Sequence, residues 1–263
     1  MLKCSGTTYY NQVITEEQCL ACATAGTNDC GYGYALLKSI WLWDSHVRTG
    51  IHTTDLTSCL KKSYFDKKSP VARKLHTNML LYIGTITHAM LEGAEDETFT
   101  AEMKLEGLGV VGTADVVYNN GVLEDFKTTR WMYPKYLPYG KHEQQTNFYA
   151  QMLREMGIET NQIFIQYLDM SGPTKCRKCK VHVELQEDGG LACPICLETP
   201  ANAHLGALRC EVPVWTPEQC IDQINERRGL LEVALETDVP PPAEPDWLCK
   251  YCGHTDICPE AKL

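Results

Sequence analysis

Apolar and polar positions follow two different periods along the chain, and together they predict a mixed α/β fold. Strands are predicted over 98–106, 108–118, 122–129, 162–169 and 207–215. Asn119, Asn120 and Gly121, between the second and third strands, have the composition of a hairpin turn. We therefore expect the first three strands to be antiparallel neighbours in a mixed central sheet flanked by helices.

Helices are predicted over 57–65, from Ser69-Pro70 to about 92, over 142–156 and from Thr216-Pro217 to about 236. Ser69 offers an N-cap and Pro70 an N1 residue to the second of these helices. The third helix carries its apolar side chains on one face and is expected to end at Gly157. The predicted order is helix, three strands, helix, strand, insertion, strand and helix.

Length and composition are those of an ordinary globular protein. The chain has 263 residues, of which 44% are hydrophobic and 22% charged, enough for one sizeable core with appendages or two small domains. We expect no transmembrane span, no signal peptide and no membrane partner, and therefore an intracellular, cytoplasmic protein. The net charge of −10 argues against a broad basic surface for duplex DNA.

The cysteines indicate a metalloprotein. There are 14, and four pairs have the Cys-x-x-Cys spacing: Cys19/Cys22, Cys176/Cys179, Cys193/Cys196 and Cys249/Cys252. Such a short loop directs two thiolates at one ion, whereas disulfide frameworks have no reason to repeat that spacing.

Two of these pairs together predict a zinc ribbon, with Cys176, Cys179, Cys193 and Cys196 as its ligands. Gly189-Gly190 would form the turn between the two knuckles. The first knuckle is basic, which favours nucleic acid, but a protein docking site and a purely structural role are also open. Cys4, Cys19, Cys22 and Cys30 are candidates for a second zinc site, whereas Cys210 and Cys220 are interpreted as core thiols.

The strongest catalytic pattern lies in the predicted hairpin around Asn120. Asp115 and Asp125 are equally far from this turn, so their side chains should be cross-strand neighbours, and Lys127 should project from the same face. Two opposed carboxylates destabilise a sheet unless something binds between them, and Mg²⁺ or Mn²⁺ is the natural occupant. The alternative is a solvated hairpin without a catalytic role.

These motifs resemble those of the RecB-like nucleases of the PD-(D/E)XK superfamily. The resemblance covers about residues 55–260 and is strongest to the iron–sulfur exonucleases associated with CRISPR adaptation and to the AddB nuclease subunit. The Gly-x-x-Asp motif of the family matches Gly112 to Asp115, with Ala114 in place of the usual proline, and its Asp-x-Lys-Thr motif matches Asp125 to Thr128. Glu124 lies beside the motif acid but is three residues before the lysine instead of two.

The resemblance implies further site residues on the flanking helices. It makes His88 the third metal ligand beside Asp115 and Asp125. The family's Gln-x-x-x-Tyr helix matches Gln145 and Tyr149, which are four residues apart and therefore on one helical face. Taken alone, a histidine on an apolar helix is more often a core residue, and Gln145 could equally be an ordinary boundary residue.

The terminal cysteines resemble the iron–sulfur ligands of the same enzymes. Cys249, Cys252 and Cys258 match the C-terminal triplet, and Cys59 lies where the fourth ligand of a [4Fe–4S] cluster is expected. Such a cluster would close a loop of about 190 residues and clasp the end of the chain against its first core helix. Zinc at the same four thiolates is the alternative.

The implied organisation is a cysteine-rich N-terminal module over 1–50 and a nuclease core over 51–260. The core would contain the zinc-ribbon insertion 174–200 and the iron–sulfur segment 246–260. The leading hypothesis is a Mg²⁺- or Mn²⁺-dependent deoxyribonuclease, an exonuclease or end-processing enzyme on single-stranded or branched DNA in recombination, repair, replication or CRISPR-type adaptation. A non-catalytic DNA-binding or scaffolding subunit, or a zinc-rich adaptor that docks proteins through the ribbon, are the alternatives.

Overall fold

The computed structural model describes residues 2–4, 12–25, 30–44, 49–129 and 132–262. Parts of the predicted N-terminal module therefore lie outside the described residues. The chain divides into two compact units, each of which is continuous in space but not in sequence. One unit comprises Met1–Ile51, Ser58–Thr87 and Arg227–Leu263, and the other comprises His52–Thr57 and His88–Glu226.

The elements of the described residues are, in chain order, β1 (Leu2–Lys3), β2 (Val13–Ile14), α1 (Glu16–Thr24), α2 (Tyr34–Asp44), α3 (Thr53–Leu56), α4 (Leu60–Lys68), β3 (Arg73–Lys74), α5 (Leu75–Glu92), β4 (Phe99–Gly107), β5 (Val110–Tyr118), β6 (Val122–Thr129), α6 (Gly140–Glu155), β7 (Gln162–Asp169), β8 (Glu184–Leu185), β9 (Leu191–Ala192), β10 (Ala207–Val212) and α7 (Pro217–Thr237). Short 3-10 helices cover Pro134–Tyr136, Trp247–Tyr251 and Pro259–Lys262. Among the helices of the described residues, none combines the length and the apolarity that crossing a bilayer requires.

The discontinuous unit that holds both chain ends has a small sheet in the order β2-β1-β3. β1 is antiparallel to β2 and parallel to β3. Helix α1 begins with a capping box, because Thr15 accepts the N–H of Gln18 and Gln18 accepts the N–H of Thr15. The buried core of this unit consists of Leu2, Ile14, Cys19, Leu37, Ile40 and Leu75.

The other unit is built on a five-stranded mixed sheet in the order β10-β7-β6-β5-β4. All neighbours are antiparallel except β6 and β7, which are parallel. A long connection through α6 joins these two strands, as a parallel pair requires. Phe148, Met152 and Leu153 of α6 are fully buried in the core over the sheet, whereas Met156, at the end of the same predicted face, is 47% exposed.

The mixed α/β prediction is confirmed, and β6 and β7 have the predicted boundaries. The predicted start of the second helix was wrong. Ser69 follows the end of α4, and α5 begins only at Leu75 because β3 comes first and pairs with β1. The predicted helix 57–65 corresponds to α4, which begins and ends three residues later, and α3 precedes the predicted range.

The last strand is shorter than predicted and ends at Val212. Asn147 of α6 binds the backbone beyond it: its amide donates to Pro213 O at 3.1 Å and its Oδ1 accepts Trp215 N–H at 2.7 Å. A buried side chain thus replaces the ladder partners of this segment. Helix α7 then begins as predicted, with Thr216 accepting the N–H of Gln219.

Candidate active site

The β5–β6 hairpin has the register that the sequence predicted. Val116 faces Glu124 and Val117 faces Leu123 across the strands. The same register brings Asp115 opposite Asp125, and Phe126 N–H donates to Asp115 Oδ2 at 2.6 Å. Gly121 closes the turn with a φ of +83°, which a residue with a Cβ would adopt only under strain. The hairpin therefore places both aspartates on one face.

Asp125 is a buried carboxylate with few hydrogen-bonding partners. The residue has no exposed surface, and among the described residues its carboxylate has no hydrogen-bonding partner besides the ammonium of Lys127. Lys127 Nζ lies 2.6 Å from Oδ2 and forms an ion pair. Burial raises the pKa of Asp125 to about 6, although Lys127 opposes that shift. A buried carboxylate with so few hydrogen-bonding partners is typical of a site that binds a further ligand.

Lys127 stays cationic at this position. Its burial alone would lower the pKa of the ammonium, but the carboxylates of Asp125 and Asp115 outweigh burial and raise that pKa. The side chain is 21% exposed, so its charge remains accessible at the edge of the site. The site therefore combines a buried anion with a cation that is present throughout the neutral pH range.

His88, near the end of α5, contacts two acidic side chains of the sheet, Glu102 and Asp115. Its Nδ1 lies 2.8 Å from Glu102 Oε1 and 3.4 Å from Asp115 Oδ1. The hydrogen bonds to Asp115 and to Glu102 raise the pKa of His88 to about 10. The ligand atoms of His88, Glu102 and Asp115 lie within 4.8 Å of one another, close enough to share one cation. Among the described residues, Asp125 is not part of this compact group.

Glu102 is a site residue that the sequence analysis missed. The β4–β5 register pairs Ala101 with Val116 and Met103 with Ala114, so Glu102 lies opposite Asp115. Its φ is +49°, a left-handed conformation that is uncommon for glutamate. Such strain is typical of functional positions, where the surrounding structure imposes it. The predicted strand bounds would pair Asp115 with Phe99 instead, because the observed turn lies at Leu108-Gly109, just beyond the predicted one.

Glu124, the other acid near the motif, faces away from the site. Its carboxylate accepts the hydroxyl of Tyr118 at 3.0 Å and pairs with Arg209 Nε at 2.5 Å. Arg209 also lies 3.5 Å from the ring centroid of Phe164. Glu124 is thus held in a polar cluster on the opposite face of the sheet, because neighbouring residues of a strand point to opposite faces.

Gln145 and Tyr149 lie together on α6, as the resemblance implied. Gln145 is 8% exposed, and its amide donates to the Tyr149 hydroxyl at 2.6 Å. The Tyr149 ring packs over Gly112, where a Cβ would lie 2.7 Å from Tyr149 Cε1 and 2.8 Å from Thr53 Oγ1. Gly112 is therefore required for close approach of the helix to β5.

His142 is a second neighbour of the site that the sequence analysis missed. It lies one turn before Gln145 on α6, and its Nδ1 is 2.9 Å from the Tyr167 hydroxyl. Tyr167 in turn is the partner of Lys127 in the β6–β7 ladder. Burial, together with Lys127 and Lys141, lowers the pKa of His142 to about 3. The Tyr167 hydroxyl accepts Tyr139 N–H at 3.2 Å, so its own proton is available for a neutral His142 Nδ1.

Sequence comparison assigns the family. The model of the PD-(D/E)XK nuclease superfamily matches residues 51–259, which span the hairpin, His88, Gln145 and Tyr149. The chain belongs to the PD-(D/E)XK nuclease superfamily. No curated protein sequence matched the chain.

Solved structures resemble this nuclease domain at low sequence identity. The crystal structure of SSO0001 is 17% identical, with a TM-score of 0.47 over 86% of this chain and 94% of the other. A phage-related exonuclease from Haemophilus somnus 129PT is 8% identical, with a TM-score of 0.44 over 73% and 96%. An alkaline exonuclease from Laribacter hongkongensis is 10% identical, with a TM-score of 0.39 over 72% and 90%.

The nuclease sheet carries a four-cysteine module between β7 and β10. Its thiols, those of Cys176, Cys179, Cys193 and Cys196, lie within 4.8 Å of one another. The Sγ atoms of Cys176 and Cys196 are 3.7 Å apart, close to the roughly 3.8 Å edge of a tetrahedron with Zn–S bonds of about 2.3 Å. The β8–β9 hairpin joins the two pairs, and Gly189 lies in its turn with a φ of +80°.

The other two cysteine groups of the nuclease chain lie in the unit with the chain ends. Neither Cys59, Cys249, Cys252 and Cys258 nor Cys4, Cys19, Cys22 and Cys30 gathers three thiols within 4.8 Å among the described residues. The second set nevertheless clusters around the buried Cys19: burial raises the pKa of this thiol, and the nearby Cys30, Cys4 and Cys22 raise it further.

The C-terminal cysteines are fastened to α4 by ion pairs that flank the predicted ligands. Lys61 Nζ lies 3.0 Å from both carboxylate oxygens of Glu260, and the Cys258 thiol donates to Glu260 at 3.4 Å. Asp66 lies 2.7 Å from His254 Nε2. Cys59 is the residue immediately before α4.

Proposed function

We propose that the chain is a divalent-metal-dependent deoxyribonuclease that hydrolyses phosphodiester bonds. The observation that carries this proposal is the fully buried carboxylate of Asp125, which among the described residues is paired only with the cation of Lys127, on the face that also holds Asp115. Membership of a nuclease superfamily supports the same reaction class. A solvated hairpin without a role would leave such a group exposed or hydrogen-bonded.

The donors around this face fit a hard cation such as Mg²⁺ or Mn²⁺, with Asp115, Asp125 and His88 as ligands and Glu102 beside them. Carboxylate oxygens are the ligands that these ions prefer. When bound, the cation would polarise the phosphoryl oxygen and lower the pKa of a coordinated water. His88 must lose its proton to ligate a metal. The carboxylates of Asp115 and Glu102, which hold its imidazolium, would then face the bound cation instead.

Lys127 would act on the reacting phosphate. Its ammonium group is held by Asp125, remains protonated at neutral pH and is 21% exposed. It can therefore orient the attacking water or offset the charge that develops on the phosphate in the transition state. Gln145 and Tyr149 would position the helix side of the site, through the hydrogen bond between them and the packing of Tyr149 over Gly112.

For the substrate we propose DNA ends, single strands or branched DNA, cut by an exonuclease or end-processing activity. The net charge of −10 disfavours tight, sequence-independent binding of long duplexes. The corresponding processes are recombination, repair, replication or CRISPR-type adaptation. A non-catalytic subunit with a nuclease fold is disfavoured because the carboxylates, Lys127 and His88 are all retained.

For the cysteine groups we propose zinc at Cys176, Cys179, Cys193 and Cys196, and a [4Fe–4S] cluster at Cys59, Cys249, Cys252 and Cys258. The first set has the spacing of a zinc tetrahedron. The second has the four thiolates that a [4Fe–4S] cluster requires, in the spacing of the family's C-terminal triplet with Cys59 before α4. This cluster would place the protein in the iron–sulfur branch of the RecB-like enzymes. Cys4, Cys19, Cys22 and Cys30 are proposed as a second zinc site.

The test is cleavage of labelled single-stranded, branched and duplex oligonucleotides by protein freed of loosely bound metal. We expect cleavage of the first two only after Mg²⁺ or Mn²⁺ is added, and no cleavage by Asp125→Ala or Lys127→Ala variants whose circular dichroism spectra are unchanged. Wild-type protein that binds these strands but never cleaves them would favour the scaffolding alternative. Undiminished cleavage by both variants would contradict the site assignment.

A further inference from the structure

The two cysteine knuckles of the metal module have the same backbone but different surfaces. In the first, Lys180 N–H donates to Cys176 O, and in the second, Leu197 N–H donates to Cys193 O, both at 2.9 Å. Lys180 and Leu197 have matching left-handed φ values of +62° and +58°. The second knuckle makes this turn with uncharged residues, Pro194, Ile195 and Leu197. Holding the metal therefore does not require the basic residues of the first.

The first knuckle concentrates positive charge. Residues 170–183 contain Lys175, Arg177, Lys178 and Lys180 and no acidic residue, in a chain with a net charge of −10. All four basic side chains are exposed. Lys178 is 4.0 Å from Glu198, and among the described residues no carboxylate pairs with the other three. Exposed, unpaired cations grouped on a rigid turn form an anion-binding surface.

The module is attached at the end of the sheet where the catalytic strand also ends. Thr129, the last residue of β6, pairs with Asp169, the last residue of β7, and Met170 N–H donates to Thr129 O at 2.8 Å. Asp169 also accepts the N–H of Met132 at 2.9 Å. The chain therefore leaves β7 beside Thr129, which is two residues after Lys127 on β6, and it reaches the first knuckle at Lys175.

We propose that this basic knuckle, residues 175–180, binds the phosphates of the DNA single strand that the active site cleaves. The proposal rests on the proposed nuclease function and assigns the metal module to substrate binding rather than to protein docking. The cations match a polyanion in sign, and the metal would hold the turn so that little order is lost on binding. A single strand can reach from the site to the knuckle because β6, which carries Lys127, and β7, which leads to the knuckle, end at the same end of the sheet.

Binding of a fluorescein-labelled single-stranded oligonucleotide tests this proposal. Anisotropy is measured without added Mg²⁺ or Mn²⁺, so that the strand stays intact, over a series of salt concentrations. We expect Arg177→Gln/Lys178→Gln to bind about tenfold more weakly and to lower the slope of log K against log salt concentration by about 1.4, or about 0.7 for each lost phosphate contact. The control Lys38→Gln/Lys68→Gln removes the same charge from the other unit and should bind like the wild type.

Zinc content, thermal stability and cleavage complete the test. The double variant should keep its zinc and melting temperature, show a raised KM for single strands and retain its kcat at saturating substrate. Wild-type binding and KM in the double variant would overturn this proposal and leave the nuclease function intact. Loss of zinc or of stability would show that the charges support the metal site and would also overturn it. Wild-type protein that neither binds nor cleaves DNA would overturn both.

Discussion

Tyr149 packs so closely over Gly112 that a Cβ on the glycine would lie 2.7 Å from Tyr149 Cε1. This contact joins two motifs that are separate in the sequence, the Gly-x-x-Asp strand and the Gln-x-x-x-Tyr helix. Because Asp115 lies three residues after Gly112 on β5, the position of α6 and that of the catalytic strand depend on each other.

Gly112→Ala should therefore destabilise the protein and weaken cleavage. The added methyl group would have to displace the Tyr149 ring or Thr53, and overpacking of this kind costs about 1–3 kcal/mol. Chemical denaturation and initial cleavage rates measure both effects. Gly229, inside α7, is a matched control because a Cβ there meets nothing within 4 Å. Gly229→Ala should leave cleavage unchanged and stabilise by about 0.5–1 kcal/mol; equal effects of the two substitutions would contradict this packing.

The hairpin and its acids were predictable because they depend on local rules. A turn at Asn119–Gly121 fixes which residues face each other, and the observed register is the predicted one. The boundaries of β6 and β7 followed from the same kind of pattern.

Features that depend on long-range pairing could not be predicted. The start of α5 is set by β3, which pairs with β1 about 70 residues earlier, at the start of the sequence. The strand β10 ends early because Asn147, a buried side chain of α6, binds the backbone beyond it. Nothing local in 69–74 or 207–215 encodes these partners. Glu102 was missed because the turn between β4 and β5 lies at Leu108-Gly109, which shifts the register from the predicted one, and its left-handed backbone conformation has no signal in the sequence.

His142 should make stability depend on pH between about 7 and 5. Its pKa is lowered to about 3 in the fold, so the unfolded chain, with an ordinary pKa of 6.5, binds a proton that the folded chain refuses. Protonation of this histidine in the unfolded chain therefore lowers the free energy of unfolding as the pH falls below 6.5, by at most about 1.4 kcal/mol per pH unit.

The measurement is urea denaturation of wild type and His142→Gln at pH 7 and pH 5. The wild type should lose more stability than the variant between these two values. A variant with the same pH dependence as the wild type would show that His142 is protonated in the fold. Tyr167→Phe should destabilise at both values, because it leaves the Tyr139 N–H and His142 Nδ1 without their hydroxyl partner, at a cost of about 1–3 kcal/mol.

The two proposed metal centres should be separable by substitution. Protein purified without oxygen should contain iron, sulfide and zinc and absorb visible light. Cys59→Ser should lose iron and the visible absorbance but keep the ribbon zinc, whereas Cys176→Ser should lose one equivalent of zinc and keep the iron. Cys210→Ser, outside all three groups, should lose neither. Zinc in place of iron in the wild type, removed by Cys59→Ser, would show that the C-terminal cysteines hold a single ion.

Cys220 should be inert to alkylation in the folded protein. Burial raises the pKa of its thiol to about 11, and the thiol donates to Asn147 O at 3.5 Å. Since the thiolate is the reactive form, iodoacetamide should modify this residue slowly at pH 8 and rapidly after unfolding. Peptide mass spectrometry reads out the extent of modification. Equal rates in the folded and unfolded protein would contradict its interpretation as a core thiol.

The assignment of Asp125 is tested most directly against its neighbour Glu124. Both are buried carboxylates, but Asp125 faces Lys127 and Asp115, whereas Glu124 faces Arg209 and Tyr118. The measurement is the Mg²⁺-dependent cleavage rate of single-stranded DNA by Asp125→Asn and Glu124→Gln. We predict that Asp125→Asn lowers the rate at least about a hundredfold, since a metal ligand contributes several kcal/mol to the transition state. Glu124→Gln should stay within a few-fold of the wild type, and the reverse result would contradict the proposed active site.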